Sequence, residues 1–346
     1  MTTPFPLPAQ PPRVPWPTAA WPEGTPGAHV DRSRLARLVS DASSTETAAL
    51  GETHALLVVQ QGRIVVEHYG HGRTAADLMP SWSEAKSITQ ALVGILVRDG
   101  KLDIHAPAPV PEWQASDDPR RAITIDQLLR MSSGLAFRED YDPNHPSDVI
   151  EMLFGEGQKD VAGFAARFPL THPPGSYWSY SSGTSNIVAR IAGQAVGGGA
   201  GAFKTFMRRE LFEPLGMKSP MPEFDAAGTF IGSSFCNATA RDFARFGLLY
   251  LRDGVWEGAR ILPEGWVDYT RTITPQPPDA DTPLGYGAHW WLGLAGPHSF
   301  SANGYEGQYT VVVPELDLVL VRHGKSEPQK DAVRAWISDV IDCFRG

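Results

Sequence analysis

The sequence predicts an α+β fold, with one sheet built from both ends of the chain and a block of helices between them. Three observations carry this. A β-branched, apolar run with a central turn, ALLVVQQGRIVVEHYG (55–70), stands near the start. A second, GQYTVVVPELDLVLVRHG (307–324), stands near the end. From Leu102 to about Glu223 the chain reads instead as short helices and loops with frequent Pro and Gly. The 346 residues suffice for one large domain or two interlocked ones. The expected divisions are an arm over 1–27, a sheet domain formed by 28–108 together with 225–346, and a helical subdomain over 109–224.

Taken in order, residues 1–27 are rich in proline and carry Trp16 and Trp21, which suits an extended arm laid over the body. A helix is expected near Asp31–Ser40. A β-hairpin follows, turning at Gln61-Gly62. Ser83–Asp99 reads as a helix that Ser81 or Ser83 can cap and Gly100 ends. Ile88, Leu92, Ile95 and Leu96 form its apolar face, and Ser83, Lys86, Ser87, Gln90 and Gly94 lie on the opposite, small and polar face. ITIDQLLRMSSGL (123–135) reads as one helix closed by Gly134. TSNIVARIAGQAVGG (184–198), AFKTFMRRELFEPLGM (202–217), ATARDFARFGLLYLRDG (238–254) and DAVRAWISDVIDCF (331–344) read as further helices. Strands join at Pro314-Glu315.

Composition excludes several classes of function. The net charge is −9 and no basic run offsets it, so no nucleic-acid partner is expected. No apolar stretch approaches the roughly 20 residues of a membrane helix, and the N-terminus lacks a basic-then-apolar leader. A cytoplasmic protein without a membrane partner is the expectation. Cys236 and Cys343 read as reduced thiols. His68 and His71 read as a hairpin end rather than a metal pair, and GGGAG (197–201) as a connector rather than a phosphate loop. No cofactor and no metal is expected. Gly-x-Ser-x-Gly is absent.

The chemistry centres on Lys86. The chain carries 23 Arg and 7 Lys, and no lysine precedes position 86. Arginine keeps its proton in a protein, whereas a desolvated lysine can lose it. Lys86 stands three residues after Ser83 at a helix start, so the two share a face. Free N–H groups and a positive partial charge gather at that end. A lysine of ordinary pKa must be perturbed by about 4.6 kcal/mol to be neutral at pH 7, and desolvation and the helix terminus both act in that direction. A neutral Lys86 could take the Ser83 proton. A loop and a strand entry could complete a site. GSYWSYSSGTSN (175–186) offers Tyr177 or Tyr180 as a proton relay. FSANGYEGQYTVVV brings Gly304 and Gly307, where backbone can approach a ligand, so an N–H there could pair with that of Ser83 as an oxyanion hole.

Together these clusters resemble the serine β-lactamase and DD-peptidase superfamily, and within it the class-C-like esterases and 6-aminohexanoate-dimer hydrolases. The resemblance runs over nearly the whole chain after about residue 50, through LLRMSSGL, LFEPLGM and ATARDFARFGLLYL as well as the site motifs. It implies a β-lactamase/transpeptidase-like fold, an antiparallel sheet flanked by helices with an inserted all-helical subdomain. Ser83-Glu84-Ala85-Lys86 resembles the first motif, which implies Ser83 as nucleophile and Lys86 as base partner. Tyr180-Ser181-Ser182 resembles Tyr-x-Asn, with Tyr180 as relay and Ser182 in the Asn place. Ala302-Asn303-Gly304 stands where the family carries Lys-Thr-Gly or His-x-Gly, which makes Tyr305 N–H the second oxyanion donor. Ala302 removes the cation that meets penicillin and peptide carboxylates. His323-Gly324 could imitate a displaced third motif but lies at a strand's far end. The loop FREDYDP (137–143) resembles the 6-aminohexanoate-dimer branch and implies Tyr141 near the substrate amide. Trp82, Trp290 and Trp291 are candidate pocket walls. The expected function is acyl transfer to water from a small amide or ester, with a homodimer left open. The alternatives are a non-catalytic small-ligand-binding protein on the same fold and a weak β-lactamase or DD-peptidase.

Overall fold

The structure is a computed structural model and describes residues 4–43, 48–141, 145–276, 284–327 and 329–346. Its main sheet has seven antiparallel strands, numbered here in chain order: β1 (Glu52–Gln60), β2 (Arg63–Tyr69), β3 (Gly285–Tyr286), β4 (Trp291–Leu292), β5 (Phe300–Gly304), β6 (Gln308–Val313) and β7 (Leu318–Lys325). Their order across the sheet is β2-β1-β7-β6-β5-β4-β3. β1 turns into β2 at Gln61-Gly62 and pairs on its other side with β7, Val58 facing Leu320. The two ends of the chain therefore share one sheet, in the β-lactamase/transpeptidase-like arrangement.

The sheet is covered on both faces, and strand alternation sorts the two cores. Leu57, Val59, Val312, Val319 and Val321 pack into the larger cluster, with α2 (Glu84–Arg98) and α9 (Ala240–Leu251). Leu56, Val58, Val311, Leu318 and Leu320 pack against α1 (Arg32–Ser43) and α11 (Lys330–Asp342). Each such fully buried aliphatic side chain contributes about 1.5–3 kcal/mol.

The helical block runs from α3 (Ile125–Leu129) through α4 (Asp148–Phe154), α5 (Val161–Ala166), α6 (Ser182–Gln194) and α7 (Ala200–Met207). A π-helical turn at Arg208–Phe212 leads into α8 (Glu213–Leu215), and α10 (Trp266–Thr270) follows later. The structure refines the expected elements. The helix over 123–135 stops at Leu129, because Met131 takes a left-handed φ of 59° and the Ser132 N–H turns back to the Gln127 carbonyl at 2.8 Å. The small, polar face of α2 is buried along with the apolar one, since every residue from Glu84 to Leu96 is buried. Its polar groups are held instead: Thr89 Oγ1 donates to the Gly232 carbonyl, and Gln90 Nε2 to Thr270 Oγ1 at 2.6 Å. Gly94 has no room for a side chain, as a Cβ there would lie 2.5 Å from Trp266 Nε1. Finally, Phe300–Gly304, expected only as the approach to a strand, is itself a strand of the sheet.

The proline-rich arm lies along α9. Arg245 Nε donates to the Pro17 carbonyl and Arg252 Nε to Gln10 Oε1, both at 2.9 Å, and Trp21 Nε1 donates to the Arg241 carbonyl. Trp16 packs on Trp256 with ring centres 4.9 Å apart. Both cysteines are buried and free. Among the described residues no helix is long and apolar enough to cross a membrane, and no group of three or more His, Cys, Asp or Glu could hold a metal ion.

Candidate active site

Ser83 occupies the N-cap position of α2, yet its side chain makes no capping bond. The residue before it, Trp82, sits at φ 42°, a left-handed conformation that costs energy for a bulky side chain. This turn frees the Ser83 hydroxyl for another partner. Lys86 Nζ donates to Ser83 Oγ at 3.0 Å, to Ser182 Oγ at 2.9 Å and to the Ser233 carbonyl at 2.9 Å. Three acceptors match the three protons of an ammonium. Two of them are hydroxyls, which can reverse their role and donate to a neutral amine, while the carbonyl cannot. Lys86 is 1% exposed. Burial lowers its pKa from about 10.5 to about 8, and the Glu139 carboxylate pulls in the opposite direction.

Tyr180 is the third member. Lys86 Nζ lies 4.9 Å from its ring centre, and its hydroxyl lies beside that of Ser83. Burial first, and Glu139 second, push its pKa well above the usual phenol range, against a weak lowering by Ser83. The phenol is therefore neutral. It can relay a proton but does not stand as a phenolate base.

Glu139 is the residue that sequence reasoning missed. Its carboxylate accepts the Ser182 N–H at 2.5 Å, the Ser182 hydroxyl at 3.0 Å and the Tyr141 hydroxyl at 2.8 Å. Ser182 thus accepts from Lys86 and donates to Glu139. The signal was present, since a helix start at Ser182 offers N–H groups that favour an anion, and FREDYDP supplies acids. Asp142 and Pro143 of that stretch lie outside the described residues.

Neighbouring buried groups hold the turn in place. Glu84 Oε2 meets His323 Nε2 at 3.0 Å on β7, and Thr310 on β6 donates to Glu84 Oε1 at 2.6 Å. His323 is therefore a structural partner of α2, not a third motif. His289 Nδ1 lies 2.9 Å from the Lys86 carbonyl, and burial lowers its pKa to about 3, which keeps it neutral. At the end of β5, a Cβ on Gly304 would come within 2.4 Å of the Ser81 carbonyl, so only glycine lets the strand close on the Ser83 turn. The next turn, Tyr305–Gly307, is fixed by the buried Arg322, whose Nη1 donates to the Gly307 carbonyl at 2.8 Å.

Two cavities meet at Ser83. One, of about 170 Å³, is lined by Ser83, Tyr141, Tyr180, Trp291, Asn303, Gly304 and Tyr305, with Lys330 and Arg334 at its rim. The other, of about 130 Å³, is lined by Trp82, Ser83, Tyr141, Ser182, Tyr305 and the apolar side of α4. Tyr141 and Tyr305 stack with ring centres 5.5 Å apart and border both. The sequence-derived residues thus converge, with Lys86 buried beneath them. Two others do not. Trp290 is fully buried against Tyr250 and Phe300, in the core rather than a pocket wall. Tyr177 stacks on His172 in a separate cavity behind Tyr180. Ala302 packs into the core.

Residues 45–341 match the family described as Beta-lactamase. The chain belongs to the β-lactamase family. It shares 26% identity over 303 residues, 82% of this chain and 75% of the relative, with a 6-aminohexanoate-dimer hydrolase of Paenarthrobacter ureafaciens. In fold, this β-lactamase-family chain is similar to a Bacillus anthracis protein described as a 6-aminohexanoate-dimer hydrolase. The TM-score is 0.76 at 22% identity, covering 94% of this chain and 87% of that one. A family VIII carboxylesterase matches with a TM-score of 0.67 at 14% identity, over 93% and 99% of the two chains. The protein is an enzyme of the serine hydrolase superfamily, with a 6-aminohexanoate-dimer hydrolase among its relatives.

Proposed function

We propose that the protein hydrolyses a small-molecule amide or ester through an acyl-enzyme on Ser83. The observation that carries this is a buried lysine of lowered pKa, 3.0 Å from a serine hydroxyl that opens onto two cavities. In the first step Ser83 Oγ bonds to the substrate carbonyl carbon while its proton passes to neutral Lys86. The oxyanion lies between the N–H groups of Ser83 and Tyr305. The C–N or C–O bond then breaks, and the leaving atom takes the proton through the Tyr180 hydroxyl. In the second step a water oxygen bonds to the acyl carbon, the Ser83 ester breaks, and Ser83 regains a proton. Tyr141, Asn303, Trp82 and Trp291 border the substrate, and Ser182 holds Lys86 in line. The 6-aminohexanoate-dimer hydrolase among the relatives favours an amide within this reading.

Incubation with p-nitrophenyl acetate should give a burst of p-nitrophenol and an acetyl adduct on the Ser83 peptide by mass spectrometry. Ser83→Ala should lose both, with turnover lowered by about 10⁴-fold or more. Undiminished turnover in Ser83→Ala would overturn the assignment. An intact wild type with neither burst nor adduct would count against the Ser83 acyl-enzyme.

A further inference from the structure

The two cavities at Ser83 differ in chemistry, and the geometry points to a direction for the substrate. An apolar acyl group occupies the cavity against α4, and a polar leaving group occupies the cavity beside Tyr180. This deepens, and rests on, the acyl-enzyme reading above.

Three observations set the direction. The first is the position of the proton donor. Tyr180 lines the cavity toward Trp291 and is not among the residues that line the α4 cavity, whereas Ser83 lines both. A leaving group that must receive a proton from the Tyr180 hydroxyl has to depart on the Tyr180 side. The acyl part, bonded to Ser83, is left with the other side. The second is the lining of the α4 cavity. Val149, Ile150, Leu153 and Phe154 of α4 face Trp82 across it. Ile150 and Phe154, one helical turn apart, are exposed large hydrophobic side chains that no neighbour covers fully. The third is Asn303. Both polar atoms of its side chain are buried without a hydrogen-bond partner among the described residues, and it lines the Tyr180 cavity. An unpaired buried amide there calls for a ligand that donates and accepts hydrogen bonds. Glu327, Lys330 and Arg334 also line it and add charged groups of both signs to that side. The stacked Tyr141 and Tyr305 form the divide between the two parts.

The substrate class is thus a short fatty acyl ester or amide of a polar, hydrogen-bonding alcohol or amine, rather than the reverse arrangement. Acylation forms the Ser83 Oγ–carbon bond and breaks the carbon–heteroatom bond, and the polar fragment leaves with the relayed proton. Water then releases the fatty acid.

Two esters of mirrored polarity test the direction, glyceryl monohexanoate (apolar acyl, polar alcohol) and hexyl glycolate (polar acyl, apolar alcohol). The expected kcat/KM ratio is about tenfold or more in favour of glyceryl monohexanoate. Ile150→Trp, which fills the α4 cavity from an exposed position, should lower the p-nitrophenyl hexanoate to p-nitrophenyl acetate ratio by about tenfold. Phe154→Ala should lower it less. Equal or better turnover of hexyl glycolate would overturn the proposal, as would an unchanged chain-length ratio in both variants. Absence of any Ser83 adduct from p-nitrophenyl acetate would remove the underlying acyl-enzyme reading, and this inference with it. Turnover of acetate with a reversed ester preference would sink the direction alone.

Discussion

Glu84 and Lys86 stand two residues apart on the first turn of α2, both 1% exposed, and burial drives both toward neutrality. Their surroundings differ. Glu84 is sealed between His323 and Thr310 of the sheet, partners that fix it. Lys86 faces two hydroxyls and a carbonyl, and both hydroxyls border a cavity, that of Ser83 two of them. Burial alone therefore does not make a reacting group. What separates the two is whether the partners can exchange protons and whether a substrate can reach them. The sealed acid fixes the helix, and the buried amine sits beside a hydroxyl that opens onto the cavities, as the proposed proton transfer requires.

The largest effect expected from this contrast is on turnover. Lys86→Met should lower kcat by about 10²–10⁴-fold with the fold retained, measured by ester hydrolysis and circular dichroism. Glu84→Ala should act chiefly on stability. It strands His323 and Thr310 and should cost about 1–3 kcal/mol, read as a lower urea midpoint at constant slope. An equal loss of turnover at constant stability in Glu84→Ala would break the comparison. The pH dependence sharpens it. If neutral Lys86 is the base, kcat/KM rises with pH through a limb near about 8. In stability the same shift has a definite sign. Between about 8 and the ordinary 10.5 the unfolded chain holds the Lys86 proton more tightly, so stability rises with pH across that window and is lower below it. The smallest effect belongs to Glu139→Gln. Glu139 holds the Lys86 pKa up, so its neutralisation should move the rate limb toward acid. A limb that stays in place, or moves toward base, would count against the Lys86–Ser182–Glu139 coupling.

Much of this was legible in the sequence, because it rests on short-range pattern. The Ser83–Lys86 spacing needs only one helical turn, and the long strands β1, β2, β6 and β7 announce themselves by β-branched runs. Strands β3 and β4 are two residues each, too short for any periodicity to register. β5 was not separated from the strand after it because Gly304, which belongs to its last position, looks like a strand-entry residue until the Ser81 carbonyl is seen pressing on it. The stop of α3 depends on Met131 adopting φ 59°, a conformation that glycine signals and methionine does not. Glu139 lies 43 residues from Ser182, and no local pattern joins a loop acid to a distant helix start. The stripe of Ser83, Lys86, Ser87 and Gln90 was correctly grouped as one face. Desolvation of Lys86 was argued from its chemistry, but the partners that seal the stripe, such as Thr270 and Ser233, come from far along the chain and left no local sign.

The pairing of β1 with β7 bears on how the protein is made. β1 ends at Gln60 and β7 at Lys325, so during synthesis the first strand leaves the ribosome long before its neighbour exists. At ordinary elongation rates the delay is on the order of tens of seconds. Until then the β1–β2 hairpin presents an unpaired apolar edge, and Glu84 waits for His323. The nascent chain thus passes most of its translation without a hydrolytic centre, and during that interval it is most exposed to chaperones and to self-association.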